Sequence, residues 1–372
     1  MKIEKLKKAM GRVRDPRRTD RGHILHKLVD ILVIGLCTIL CNGEDFEDME
    51  VFGKEREAWF RGFLTLPNGI PDSDTFRRIF ERINPEELAE ALYDWLCEIR
   101  PDGGVIAIDG KTIRGSKSAE RKAYHIVSAF AAENQITLGE VTTEEKSNEI
   151  KAVPELLKLL DISNSTITAD AMSCQKDIVN IIVEKEAGYA LALKGNQPGL
   201  YKSAKELFGR LRRKTLKTVT FEVRSGKEIE RRYELITDLS ALAGREKWRG
   251  LEAVGRVTAT VRKGTKVSME TRYYITTLTD VERFAYVVRK HWSIENQLHW
   301  CLDVIFHEDA SRARKDNSPR NLNVMRKVAL SLCRHCKADS MRNASIQKRR
   351  YHASLNPDRL LEILFGTKEA NP

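Results

Sequence analysis

Cysteine is scarce and scattered: seven residues in 372, at positions 37, 41, 97, 174, 301, 333 and 336. An odd, dispersed set in a chain this long builds no disulfide framework and suits a reducing cytoplasm. Cys333-Arg334-His335-Cys336 lacks a second pair downstream, so it offers zinc only part of a site. Long apolar runs are missing too. The stretch from Leu28 to Cys41 is too short to span a bilayer, carries Asp30, and lacks small residues before a cleavage point. It reads as a buried helix, and no membrane partner is expected. No phosphate-binding glycine loop is present either. Gly104 and Gly110 are separated by five residues where such a loop needs four, and those five read as a strand, so no nucleotide cofactor is expected. Internal repeats and low-complexity tracts are absent.

What is present begins with charge. The formal net charge is +11, unevenly spread. Residues 1–22 contribute +6, residues 310–372 contribute +9, and residues 23–309 carry −4. Basic ends on a mildly acidic body suit arms that neutralise phosphates, although solvated tails look the same in sequence. The length allows two or three domains with a sizeable core.

Residues 23–100 read as helices. Ser73 or Asp74 can cap a helix that turns Phe76, Ile79, Phe80 and Ile83 inward. A second helix starts at Asn84-Pro85-Glu86-Glu87 and buries Leu88, Leu92, Trp95 and Leu96. With Arg77, Arg78 and Arg82 on the polar face, this is either a DNA-binding helix-turn-helix or a plain helical pair. After the turn Pro101-Asp102-Gly103-Gly104 the period changes. Strands are expected at 104–109, 125–132 and 136–142, then a helix at 149–161 with Ile150, Val153, Leu156, Leu157 and Leu160 inward, and a strand at 165–170. A helix at 174–187, capped by Ser173 and closed by Gly188, precedes the strand 189–193. This order is that of the ribonuclease H-like fold, in which the first and fourth strands lie adjacent and parallel. Residues 201–282 turn β-rich, with strands at 218–223, 257–261 and 271–276, and look like an inserted sheet. A long helix runs from Val281 past Glu295 to about Phe306, and another lies near 321–336.

Three acidic residues stand out. Asp109 follows Val105-Ile106-Ala107-Ile108, Asp170 follows Thr166-Ile167-Thr168-Ala169, and Glu295 lies on the long helix. Carboxylates at the carboxyl ends of adjacent strands point into the crevice where open α/β sheets bind ligands. A third from a covering helix would complete an all-oxygen site of the kind Mg²⁺ prefers. His291, Glu295, His299 and Asp303 recur every four residues, so that helix face is also a rival transition-metal site. Lys194, Asn196 and Gln197 follow a core strand and either hold phosphates and base edges or form a polar turn. Trp248 is a candidate for stacking a flipped base, or else a core residue of the insertion.

Several blocks in one order carry a resemblance: Ala107-Ile108-Asp109-Gly110-Lys111, Thr168-Ala169-Asp170-Ala171-Met172, Leu193-Lys194-Gly195-Asn196-Gln197 and His291-Trp292-Ser293-Ile294-Glu295-Asn296, with His299-Trp300 and Leu302-Asp303-Val304 beyond. Over nearly the whole chain the sequence resembles the insertion-sequence DDE transposases, in the branch containing the H repeat-associated proteins. The resemblance implies an α/β ribonuclease H-like catalytic domain with a β-rich insertion, plus a helical amino-terminal domain. The expected divisions are 1–100, helical and DNA-binding or associated; 101–200, the first catalytic part; 201–282, the insertion; and 283–372, the last catalytic helix with basic carboxy-terminal helices. It implies metal-dependent cleavage and transfer of DNA strands, with Mg²⁺ or Mn²⁺ on Asp109, Asp170 and Glu295. Asp109 would bridge two ions, Asp170 completing one and Glu295 the other. Candidate DNA contacts are Lys111, Lys194, Asn196, Gln197, Arg289, Lys290, His291, Trp292 and His299. Relatives often carry Tyr, Arg and Lys around the glutamate where this chain has Val288, His291 and Leu302, so Arg289, Lys290 and His299 are candidate substitutes. The implied partners are double-stranded transposon ends and target DNA, with a homodimer on DNA, in a bacterial cytoplasm at the nucleoid. A catalytically silent DNA-binding relative, a ribonuclease H-like nuclease that cuts without joining, and a zinc hydrolase on the 291–303 helix are the rivals.

Overall fold

The computed structural model describes residues 2–18, 24–97, 104–143, 148–209 and 215–366. The Pro101-Asp102-Gly103 turn lies outside them. Among the described residues, nine strands form one mixed sheet in the order β3-β2-β1-β4-β5-β9-β8-β7-β6. The first five are β1 (Gly104–Thr112), β2 (His125–Ala131), β3 (Ile136–Thr143), β4 (Ser165–Ala169) and β5 (Gly188–Leu193). β1 to β3 form an antiparallel meander, and β1, β4 and β5 run parallel. The adjacency of first and fourth strands expected from sequence is therefore observed.

The region expected from sequence as an inserted sheet is an antiparallel meander of β6 (Leu216–Arg224), β7 (Lys227–Ile236), β8 (Ala253–Lys263) and β9 (Lys266–Thr276). It is not a separate sheet, because β9 pairs with β5 from Ala190↔Thr276 to Leu193↔Tyr273 and extends the parallel core. β7 was not expected from sequence: Lys227-Glu228-Ile229-Glu230-Arg231-Arg232 is too charged to read as a strand. Its hairpin is set by the turn Ser225-Gly226, whose positive φ angles of 51° and 70° suit a two-residue connection.

Helices cover both faces. α1 (Lys2–Met10), α2 (Leu28–Leu40), α3 (Phe46–Glu55), α4 (Glu57–Phe60), α5 (Ser73–Arg82) and α6 (Pro85–Cys97) form the amino-terminal region. The apolar Leu28 stretch is the buried helix expected. α5 is capped by Asp72, not Ser73 or Asp74, its carboxylate accepting from Thr75 N at 2.6 Å. α6 packs on β3 and on α12 (Ser318–His335), so the α5–α6 pair is built into the fold, and Arg77 and Arg78 pair with Asp74. α13 (Ile346–Leu355) and α14 (Pro357–Phe365) share one apolar core with these amino-terminal helices, joined by Ala107 and Phe130 of the sheet.

On the other face lie α7 (Glu149–Leu159), α8 (Lys176–Glu184) and α9 (Pro198–Gly209). α8 starts after Gln175 and not at Ser173, because the Asp170 side chain caps a short 3₁₀ turn, Ala171–Ser173, ahead of it. α10 (Val281–Ser293) crosses β1, β4 and β5, then continues through a π-helical turn (Ile294–His299) into α11 (Trp300–Val304). Its anchor is Phe284, fully buried among Tyr233, Leu235, Val257 and Tyr274. No helix among the described residues is long and apolar enough to cross a membrane.

Gly255 on β8 lies directly beneath the Phe284 ring, leaving no space for a Cβ. Gly255→Ala is expected to lower stability by about 1–3 kcal/mol, because neither the strand nor the buried ring can yield. Equilibrium denaturation checks this, and an unchanged midpoint would contradict the stated packing.

Candidate active site

Two carboxylates are brought together by strand register. The last parallel pair of β1 and β4 is Ile108↔Ala169, so Asp109 and Asp170 are the next residues of neighbouring strands. Asp109 does not end its strand, as the sequence suggested: β1 continues to Thr112, and Asp109 pairs with Ser128 of β2. That pairing fixes its backbone on the β2 side. Asp170 leaves the sheet, and its Oδ1 accepts from Met172 N at 3.0 Å.

Glu295 comes from the helix crossing that edge and lies within the π-helical turn, its side chain exposed. Such turns carry an extra residue and cluster at functional sites. The four-residue stripe expected from sequence is accordingly broken up. His299 Nδ1 lies 3.5 Å from Asp109 Oδ2, and Asp303 pairs with Lys111 at 2.8 Å. His291 meets the backbone at Thr168. Among the described residues, no three His, Cys, Asp or Glu side chains are arranged to hold a metal ion.

The carboxylates nevertheless act on one another. Burial, with the charges of Glu295, Asp170 and Glu149, pushes the Asp109 carboxyl up to about 7 against the Gly110 N–H. Asp170 is also raised, by burial and then by Glu149, while the N–H groups of Met172 and Ser173 and the Lys194 cation oppose the rise. Crowding oxygen-only acids in a half-buried edge is unfavourable for the bare protein, and a hard divalent cation relieves it. The donor chemistry thus fits Mg²⁺ or Mn²⁺, although the side chains are not drawn into a ligand set.

The other expected residues divide. Lys194 is exposed beside Asp170. The side-chain amides of Asn196 and Gln197 are engaged, donating to Ala171 O at 2.6 Å and Cys174 O at 3.0 Å and so bracing the turn after Asp170. Lys111 is 11 % exposed and held by Glu308 at 2.6 Å and Asp303 at 2.8 Å. Arg289 pairs with Glu222 at 3.1 Å, and Lys290 stacks over Tyr286. Trp292 is half-buried beneath the guanidinium groups of Arg231, Arg272 and Arg289. Burial and neighbouring cations push His291 down to about 4 and His299 to about 3, so both imidazoles are neutral near pH 7. Trp248 is 5 % exposed in the sheet core, where no base can reach it, and the base-stacking expectation fails there. In the Cys333–Cys336 segment, His335 Nε2–H donates to the backbone carbonyl of Asn134 at 2.7 Å.

Sequence reading missed two features. Glu149 is 5 % exposed and bonds His125, while Ile150, expected inward, is 41 % exposed. The apolar phase of α7 holds from Val153 onward but not in its first turn. Glu308 is fully buried and accepts from both Lys111 and Asn323. Its partners are remote in sequence, so no local signal marks it.

Residues 100–332 match the family described as Transposase DDE domain, and residues 7–96 match the one described as DDE_Tnp_1-associated. The chain is 37% identical over 382 residues to "Putative transposase YncI" of Escherichia coli O157:H7, covering 99% of this chain and 96% of that protein. It is 33% identical over 380 residues to "H repeat-associated putative transposase YhhI" of Escherichia coli strain K12, covering 99% of each. A cryo-EM structure of a piggyBac transposase synaptic complex with hairpin DNA aligns at TM-score 0.46 and 10% identity, over 98% of this chain and 80% of that one.

Because Asp109 titrates near 7 when folded and near 4 when unfolded, the folded metal-free protein holds an extra proton between those values. The stabilisation from this group is fullest below about pH 4 and is lost as pH rises through about 7. Asp109→Asn is expected to be more stable than wild type by about 1–4 kcal/mol at pH 8 with metal chelated, the gap closing toward pH 4. Melting curves across pH check this, and a less stable variant at pH 8 would contradict it. Lys111→Met is expected to cost about 3–5 kcal/mol by stranding Glu308, with part regained in Lys111→Met/Glu308→Gln. Chemical denaturation of both variants reads the difference.

Proposed function

The chain belongs to the transposase DDE domain family, and from that premise we propose that it cuts DNA at the ends of an insertion element and joins them to a target. Asp109, Asp170 and Glu295 are the catalytic carboxylates of a ribonuclease H-like domain that the β6–β9 meander extends. The observation that carries this reading is the parallel register of β1 and β4, which puts Asp109 and Asp170 side by side beneath the helix bearing Glu295.

Mg²⁺ or Mn²⁺ bound at these carboxylates supplies activation of the attacking hydroxyl and charge neutralisation at the scissile phosphate. The protein's part is placement. Asp109, with β2 on one side and β4 on the other, is the fixed oxygen donor, and Asp170 is oriented by the N–H of Met172. Glu295 enters from the π-helical turn as the adjustable third member. No covalent protein intermediate is needed, and no Ser, Tyr or Cys nucleophile is assigned.

Lys194 is placed to meet a phosphate beside Asp170. Arg114, 83 % exposed, and the loop carrying Arg312, Arg314 and Lys315 flank the end of β1, the loop docked by Arg314 Nε on Gly115 O at 3.2 Å. These exposed groups suit a DNA backbone better than Lys111, whose ammonium is buried between Asp303 and Glu308. The substrates are double-stranded transposon ends and target DNA, the working form a homodimer on DNA, and the setting the bacterial cytoplasm at the nucleoid.

The test is cleavage and joining of DNA carrying the element's own ends with Mg²⁺ or Mn²⁺. Wild type is expected to yield both products, and Asp109→Ala, Asp170→Ala and Glu295→Ala each to abolish both while still binding the ends. Wild type that binds but never cuts is a silent DNA-binding relative. Cutting without joining makes it a nuclease.

A further inference from the structure

The two edges of the sheet are finished differently. β3, at one edge, is packed by α6, α7 and α12. β6, at the other, runs for nine residues beside β7 and α10, with no strand beyond it among the described residues. Natural edges are blunted by brevity, proline, bulges or charges along the strand. β6 has no proline, pairs with β7 without a shift of register, and between Thr218 and Val223 carries a single charge, Glu222. That carboxylate accepts from Arg231 at 3.2 Å and from Arg289 of α10 at 3.1 Å.

What the edge presents follows from its pairing. Side chains alternate along a strand, so with Glu222 on the α10 face, Val219, Phe221 and Val223 lie on the open one. Phe221 and Val223 are 75 % and 78 % exposed there. The two-residue turn Ser225-Gly226 makes Arg224 and Lys227 a hydrogen-bonded pair, so by the same period the even-numbered residues of β6 bond β7. The N–H and C=O groups of Val219, Phe221 and Val223 therefore point outward from the edge. An unpaired strand bearing an apolar row is a template for another strand.

The symmetry of that row and the charge around it select the partner. Val219, Phe221 and Val223 read the same in both directions, so an antiparallel second copy sets Phe221 against its counterpart and Val219 against Val223 on either side. All three positions have the outward N–H and C=O groups that such a register joins. Beyond the row, the β6–β7 and β8–β9 turns lie side by side, because Glu228 is the register partner of Arg262, and they expose Arg224, Lys227, Arg262, Lys263 and Lys266. A parallel copy would bring two such basic ends together. The antiparallel one holds them about 30 Å apart, well beyond the screening length of about 8 Å at physiological salt. We propose that β6 is a self-association edge, on which two copies of the chain pair β6 with β6 about a two-fold axis at Phe221 and continue one sheet through both. Because β3 is covered, the assembly closes at two. This goes beyond the homodimer on DNA proposed above, since it needs neither DNA nor metal.

Sedimentation equilibrium of the full chain, without DNA or metal, compares wild type, Phe221→Lys, Phe221→Glu and an equimolar mixture of the two variants. A strand edge is a small interface, so wild type is expected to pass from monomer to dimer between about 1 and 100 μM. Each variant sets like charges opposite one another across the two-fold and is expected to dimerise about tenfold more weakly. The mixture sets Lys against Glu and is expected to regain the dimer. Both variants should melt with wild type, because the side chain at 221 is exposed. If either does not fold, Val223→Lys and Val219→Glu, which face each other in this register, carry the comparison in the same way. Wild type that stays monomeric, or that assembles beyond two, overturns the proposal. A dimer that both variants leave intact lies elsewhere and also overturns it, as does a dimer that they weaken and their mixture does not restore. With neither DNA nor metal present, each of these failures leaves the cleavage reading standing.

Discussion

The parallel pairing of β1 with β4 is the constraint from which the site follows. Because Ile108 and Ala169 are register partners, the two strands deliver Asp109 and Asp170 at one level of the sheet edge. Antiparallel pairing could not do this, since one carboxylate would then lie at the far end of the sheet. Parallel strands need a covered crossover, and α7 between β3 and β4 provides it, its first residue being Glu149. The connection that makes the register possible therefore also brings an acid to the edge.

Gathering like charges has to be held against their repulsion. β2 restrains Asp109 from one side. Lys111, two residues on, ties β1 to Asp303 and Glu308, so the strand carrying Asp109 and the segment following Glu295 are bolted together. Gly115 reinforces the joint by packing close to the carbonyls of Glu308, Asp309 and Ser311. Asn196 and Gln197 brace the turn after Asp170. On the far side of Glu295, the guanidinium groups over Trp292 join α10 to the β7–β9 meander. Basic residues read from sequence as DNA contacts are thus in part the framework that keeps an acidic edge together.

Asp109 and Asp170 were legible because each follows an apolar run of strand length, and the order of elements predicted their adjacency. Glu295 was legible as helical, but its local geometry was not: a period of 3.6 carries no sign of a π-helical turn. β7 escaped because Glu228, Glu230, Arg231 and Arg232 hide its alternation. Glu149 escaped because the phase of α7 was taken from Val153, Leu156 and Leu157, which say nothing about a first turn bent toward His125. Lys111 showed its charge but not its partners, which lie more than 190 residues away and exist only once the sheet and the 303–309 segment meet.

The most direct test of the central claim is where a divalent ion binds. Crystals of the protein soaked in Mn²⁺ and measured for anomalous scattering locate it without reference to activity. The account predicts anomalous density at the carboxyl edge of β1 and β4, contacting Asp109 and Asp170, with Glu295 turned toward it. Density confined to the His291–Asp303 helix face, or none at that edge under saturating Mn²⁺, would contradict it.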